Sequence, residues 1–315
     1  MDHLRVLFRT IRAATCYRRA AVWVAVALEP IDRLMAAAKR GHYAVGYFES
    51  WGLESLQGVI DAAEQTRSPT VIGFNGEFLS QRAGASINDL QTYAAMGIAA
   101  AMQAKVPCGF IFNECADDTW VERAISAGFN LVMPADPAAE PDDYRRRVAR
   151  LAAKAHAHGV AIEAEVDELP CKGHEGATSD PEILATFVSA TGVDLLAVSV
   201  GNEHIKLSGR APLDLRRLEA IQQRVHIPLV LHGGTGIEDN SLREAIRLGV
   251  RKVNFGTYVK QRYLQAIRRA LASEEQNPHA LLGNGSETDV MVIGRAAVRD
   301  AVLERIETLG CCGKA

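Results

Sequence analysis

Short apolar runs recur along the chain, separated by stretches whose apolar residues follow helical spacing. Runs at 43–48, 70–74, 107–112, 131–133, 160–166, 194–200, 227–231 and 250–255 read as buried strands. Stretches around 53–66, 88–105, 118–127, 141–158, 181–191, 213–224, 239–248 and 257–272 read as helices. In one of them Leu184, Phe187 and Val188 share a face. There Ser179-Asp180-Pro181-Glu182 places a cap residue ahead of a first-turn proline. Eight strand–helix units in about 230 residues predict an α/β fold closed into a parallel (β/α)8 barrel, the TIM barrel. A doubly wound open sheet fits eight such units less well.

The 315 residues suit one barrel with little left over. Residues 1–28 stand apart: Arg5, Arg9, Arg12, Arg18 and Arg19 precede an apolar stretch at 20–28. That stretch is too short to span a bilayer and lacks a convincing cleavage site. An N-terminal extension, helical in part, is expected there, with the barrel and a C-terminal helix over 29–315. A net charge of −3 gives no reason to expect nucleic acid or membrane as partner. Six cysteines without a C-x-x-C pair read as a reduced, cytoplasmic protein.

In a barrel of this kind, ligands bind where the strands end. Those ends read Glu49, Asn75, Asn113-Glu114, Asp136, Glu165, Gly201 to His204, His232-Gly233-Gly234-Thr235 and Asn254-Phe255-Gly256-Thr257. Strand interiors are apolar, so the polar residues gather on one rim. Neighbouring strands lie ~5 Å apart, which lets His204 and His232 share one ion. A third ligand is expected from another strand end, with Glu114 best placed and Glu165 next. Glycines at 233, 234 and 256 let backbone N–H groups approach an anion. Barrel phosphate sites favour the loops after the seventh and eighth strands, where Gly233-Gly234-Thr235 and Asn254-Phe255-Gly256-Thr257 fall.

Taken together, these residues resemble the class II, metal-dependent ketose-bisphosphate aldolases of the fructose-bisphosphate type, over about residues 30–315. The resemblance implies zinc on His204 and His232, a second-site role for Glu165 of Glu163-Ala164-Glu165, and the phosphate of dihydroxyacetone phosphate on the two glycine-bearing loops. It implies a mobile loop around 169–176 carrying the residue that removes the substrate proton, with Glu175 in that position. It also implies a homodimer or larger homo-oligomer. The chain departs from the pattern at the third strand, where the family's Asp-His is Asn113-Glu114. Glutamate is a harder ligand, which shifts preference toward Mn2+, Mg2+ or Fe2+. Asn113 can hydrogen-bond a carbonyl or hydroxyl but carries no titratable proton. The family's Asn after the first strand is Glu49, and its Asp after the fourth is Ala135, beside Asp136.

The expected function is a metal-dependent carbon–carbon lyase acting on a phosphorylated ketose. An isomerase or epimerase using the same enediolate is the first alternative, because losing the aldehyde-side acid harms cleavage more than enolisation. A non-catalytic sugar-phosphate-binding subunit is the second.

Overall fold

Each predicted apolar run forms a strand in the computed structural model, which describes residues 28–82, 84–136, 138–166, 178–203, 209–272 and 275–315. The strands are β1 (Val45–Phe48), β2 (Thr70–Asn75), β3 (Cys108–Cys115), β4 (Leu131–Pro134), β5 (Ala161–Glu165), β6 (Leu195–Ala197), β7 (Leu229–Leu231) and β8 (Val250–Phe255). All pair in parallel with their sequence neighbours, and β8 pairs with β1, closing a (β/α)8 barrel. The helices are α1 (Ile31–Gly41), α2 (Leu53–Thr66), α3 (Gly76–Gln81), α4 (Ile87–Gln103), α5 (Asp118–Ala127), α6 (Pro141–Ala157), α7 (Pro181–Thr191), α8 (Leu215–Arg224), α9 (Asp239–Arg247), α10 (Thr257–Ala270), α11 (Pro278–Leu281) and α12 (Val290–Ile306). No helix among the described residues is long and apolar enough to cross a membrane.

The predicted helices form where local chemistry starts them. Asp180 accepts hydrogen bonds from Glu182 N and Ile183 N ahead of Pro181. Asp117 and Ser86 cap α5 and α4 in the same way; each such cap stabilises its helix by ~1 kcal/mol.

Three helices escaped the pattern, the one-turn α11 among them. α1 is amphipathic, burying Ile31, Leu34, Met35 and Ala38, and it packs at the strand starts, where a side chain at Gly109 would strike Ile31. Leu28 already bridges Cys108, so the barrel reaches the last residue assigned to the N-terminal extension. The rest of that extension lies outside the described residues. The short α3 begins at a glycine and depends on Asn75, whose Oδ1 accepts from Phe78 N at 3.0 Å.

Aromatic rings pack behind β2 and β3: Phe110 stacks on Phe129 at 4.0 Å, and Phe74 meets Phe110 and Tyr93 edge-on. This packing holds β3 against its helices up to the point where its register with β4 shifts, between Phe112 and Cys115. A bulge at a strand end re-aims the side chains it carries, and here those residues are Asn113 and Glu114.

Candidate active site

The bulge puts Glu114 at φ +53°, a left-handed conformation costing ~1–2 kcal/mol for a residue with a Cβ. Its carboxylate is held in two directions. Asn75 Nδ2 donates to Oε2 at 2.8 Å, while Oε1 lies 3.1 Å from His232 Nδ1 on the far side of the barrel. Glu165 Oε2 stands 4.0 Å from the same nitrogen. Behind the ring, His232 Nε2 meets Glu163 Oε1 at 2.9 Å. Glu163 Oε2 in turn accepts from Lys252 Nζ at 2.8 Å. The network therefore runs through the interior from β2 and β3 to β7, β5 and β8.

Its charge distribution follows from burial. Desolvation alone would push His232 down, but hydrogen bonds to Glu114 and Glu163 and the charge of Glu165 carry it up to about 10. Burial likewise works to raise Glu163, yet Lys252 and His232 hold it below its ordinary value. The edge of the imidazole facing Glu114 and Glu165 is thus a point where positive charge is stabilised. No three His, Cys, Asp or Glu side chains among the described residues stand at complete ligand spacing. The expected ligand His204 and the expected base Glu175 lie outside the described residues.

Asn113 is 3% exposed, and its Oδ1 has no hydrogen-bond partner among the described residues. At the end of β1, Glu49 Oε1 accepts from Lys260 Nζ at 2.6 Å. Burial raises this carboxyl above its usual range despite Lys260. A Cβ at Gly256 would lie 2.4 Å from Glu49 Oε2, so the glycine makes room for the carboxylate.

The two glycine-bearing loops meet. Gly233 has φ +65° and precedes a 3-10 turn at Gly234–Gly236. Tyr258 N donates to Thr235 Oγ1 at 3.1 Å, tying that turn to the start of α10. A helix N-terminus beside a glycine turn favours an anion. Phe255 stacks its ring on Phe48 at 5.1 Å, turning its side chain into the core, so only its backbone is left for the rim. A Cβ at Gly233 would fall 2.1 Å from Glu203 O. We expect Gly233→Ala to cost at least ~1–2 kcal/mol from the left-handed backbone alone. Thermal melting should show a loss of several degrees, and an unchanged melting temperature would contradict the geometry.

Four further residues complete the site, none of which the sequence had assigned a role. Asn75 and Glu163 orient Glu114 and His232, and Lys252 anchors Glu163. Asn202 Nδ2 donates to His232 O at 3.1 Å and ties the loop after β6 to β7. A lysine inside an otherwise buried strand was the available signal for Lys252. Glu163 was readable from its two-residue spacing to Glu165, which places both on one strand face.

The buried thiols at the two ends of β3 serve packing. Burial pushes Cys108 up to about 12 and Cys115 to about 11, leaving little thiolate at pH 8. Alkylation of the native chain should spare both and label the exposed Cys312. Peptide mapping that finds Cys108 modified as readily as Cys312 would count against this packing.

A closed barrel whose ionisable groups converge at the strand ends defines a TIM-barrel enzyme. The particular family is shown by comparison with known proteins. Residues 29–314 match the family model described as fructose-bisphosphate aldolase class-II, and the chain belongs to that family. It is 31% identical over 300 residues to a fructose-bisphosphate aldolase of Geobacillus stearothermophilus, covering 92% of this chain and 99% of that one. It is 30% identical over 305 residues to a 6-phospho-5-dehydro-2-deoxy-D-gluconate aldolase of Shouchella clausii, covering 91% and 96%. Among solved structures, the YdjI aldolase from Escherichia coli K12 superposes with a TM-score of 0.76 at 28% identity, covering 91% of this chain and 99% of that chain.

Proposed function

We propose that this chain is a metal-dependent aldolase that cleaves or forms a phosphorylated ketose through the enediolate of dihydroxyacetone phosphate. The observation that carries the reading is the setting of His232, a buried imidazole anchored from behind by Glu163, with Nδ1 facing Glu114 and Glu165. An imidazole with two carboxylates suits a divalent cation, and the positive charge these carboxylates draw onto the ring marks where it fits. In this reading His204 joins Glu114, His232 and Glu165 as a ligand. Zn2+ follows from the family, while Glu114 in place of a histidine moves the preference toward Mn2+, Mg2+ or Fe2+. When bound, such an ion polarises the ketose carbonyl and stabilises the developing enediolate.

The chain's own residues supply the rest. Gly233, Gly234 and Thr235 on one loop, with Asn254, Phe255, Gly256 and Thr257 on the other, hold the phosphate through backbone N–H groups and the Asn254 amide. Asn113 hydrogen-bonds a carbonyl or hydroxyl group of the substrate. Glu175 removes the substrate proton, and Glu49, at the end of β1, is a second carboxylate able to exchange one. A homo-oligomer follows from the family.

A screen of phosphorylated ketoses with added Zn2+, Mn2+, Mg2+ or Fe2+, reading dihydroxyacetone phosphate release, tests the proposal. Release that depends on the added ion supports it, and no cleavage of any ketose phosphate with any ion would overturn it. One observation favours a second reading. Asn113, buried at the β3 end, cannot carry a proton, so an isomerase that only enolises the substrate fits that position. Proton exchange from dihydroxyacetone phosphate without aldehyde condensation would select this reading.

A further inference from the structure

Lys252 is completely buried inside the barrel, an unusual place for an ammonium. Its Nζ donates to Glu163 Oε2 at 2.8 Å and to Asn254 Oδ1 at 2.7 Å, and it sits 5.3 Å from the centre of the Tyr47 ring. Glu163 belongs to β5 and Lys252 to β8, which are not neighbours, so the first contact crosses the interior. Lys252 and Asn254 are two residues apart and share one face of β8. The ammonium therefore touches both halves of the rim: Glu163 holds His232, and Asn254 belongs to the glycine-loop half.

An ammonium has donors and no acceptor, so whatever faces Lys252 at Asn254 must be the amide oxygen. That fixes the orientation of the amide. Asn254 Nδ2 is directed elsewhere, and this donor is buried without a hydrogen-bond partner among the described residues while the residue is only 7% exposed. Buried donors are seldom left unmade, and an unmade one at a strand end awaits an acceptor from a ligand.

Resting on the aldolase reading above, we propose that Lys252 is a positioning residue that couples the cation side of the site to its anion side. It holds Glu163 for His232 and turns the Asn254 amide so that its N–H groups face a phosphate or hydroxyl oxygen of the substrate. Without the ammonium, Glu163 loses its charge partner and the amide is free to flip. Both ligands then bind less well, although Lys252 touches neither.

Calorimetric titration of the full-length protein with Mn2+, and then of the Mn2+-loaded protein with dihydroxyacetone phosphate, tests this. Lys252→Gln should weaken Mn2+ binding by roughly 10–100-fold, the range for loss of an outer-shell partner, and should weaken dihydroxyacetone phosphate by about tenfold or more. Asn254→Asp keeps Lys252 paired but presents only acceptor oxygens. It should weaken the phosphate ester alone and leave Mn2+ unchanged. Glu163→Gln keeps the Asn254 contact and should weaken Mn2+ alone.

A folded Lys252→Gln protein that binds both ligands like the wild type, or loses only one, overturns the proposal. If Lys252→Gln does not fold, the double variant Lys252→Met/Glu163→Gln, which leaves no orphan charge, replaces it. Comparison with Glu163→Gln then isolates the lysine, and equal dihydroxyacetone phosphate affinity in the two would overturn the coupling. Wild-type protein that binds neither ligand would overturn the aldolase reading, and the coupling with it. Wild-type binding together with insensitive variants removes the coupling alone.

Discussion

Replacing His232 with alanine is expected to abolish divalent-cation binding and ketose-phosphate cleavage together. Among the described residues, Glu114, Glu163 and Glu165 meet at His232. The loss should exceed the ~10–100-fold that removing an outer-shell partner costs, because the ligand itself is gone. The fold should persist, since the barrel closes through backbone pairing and an apolar core. Metal analysis and steady-state kinetics on the same preparation provide the check. A His232→Ala protein that retains both metal and activity would remove His232 from the site.

The second large effect concerns stability. Glu163→Leu leaves the Lys252 ammonium buried without its carboxylate, and a broken buried pair costs ~3–5 kcal/mol. For a chain of this size that lowers the melting temperature by roughly 10 °C. Adding Lys252→Met should restore much of the loss, because two apolar side chains of similar volume avoid the orphan charge. Calorimetry of the single and double variants gives the answer. Equal melting temperatures for Glu163→Leu and wild type would show that the pair is not dry.

Architecture was legible wherever one periodicity dominated. Buried strands such as β8 and amphipathic helices such as α7 carry unambiguous patterns, and Asp180-Pro181 marks a start that the cap hydrogen bonds reproduce. α1 was not read because it falls before the first strand, outside the alternation used to find the others. α3 was not read because six residues opening on a glycine give no periodicity; its start depends on the Asn75 side chain.

At the site, residue types on the rim were readable one strand at a time, since each strand end is local. Their mutual arrangement was not. Whether Glu114 reaches His232 depends on a bulge and a left-handed φ at that residue, and neither leaves a mark in composition. Glu163 entered the sequence reading only as the companion of Glu165, and Lys252 was given no role. Here each neutralises the other across the barrel, so their roles appear only once β5 and β8 face one another.

In the proposed reading, the rim around His232 holds a catalytic divalent cation. The most direct test is metal stoichiometry measured together with dihydroxyacetone phosphate release, on protein stripped with a chelator and then reloaded. We predict about one ion per chain at the Glu114–His232 site, with cleavage lost on stripping and restored on reloading. Cleavage that continues undiminished in fully stripped protein would contradict the claim.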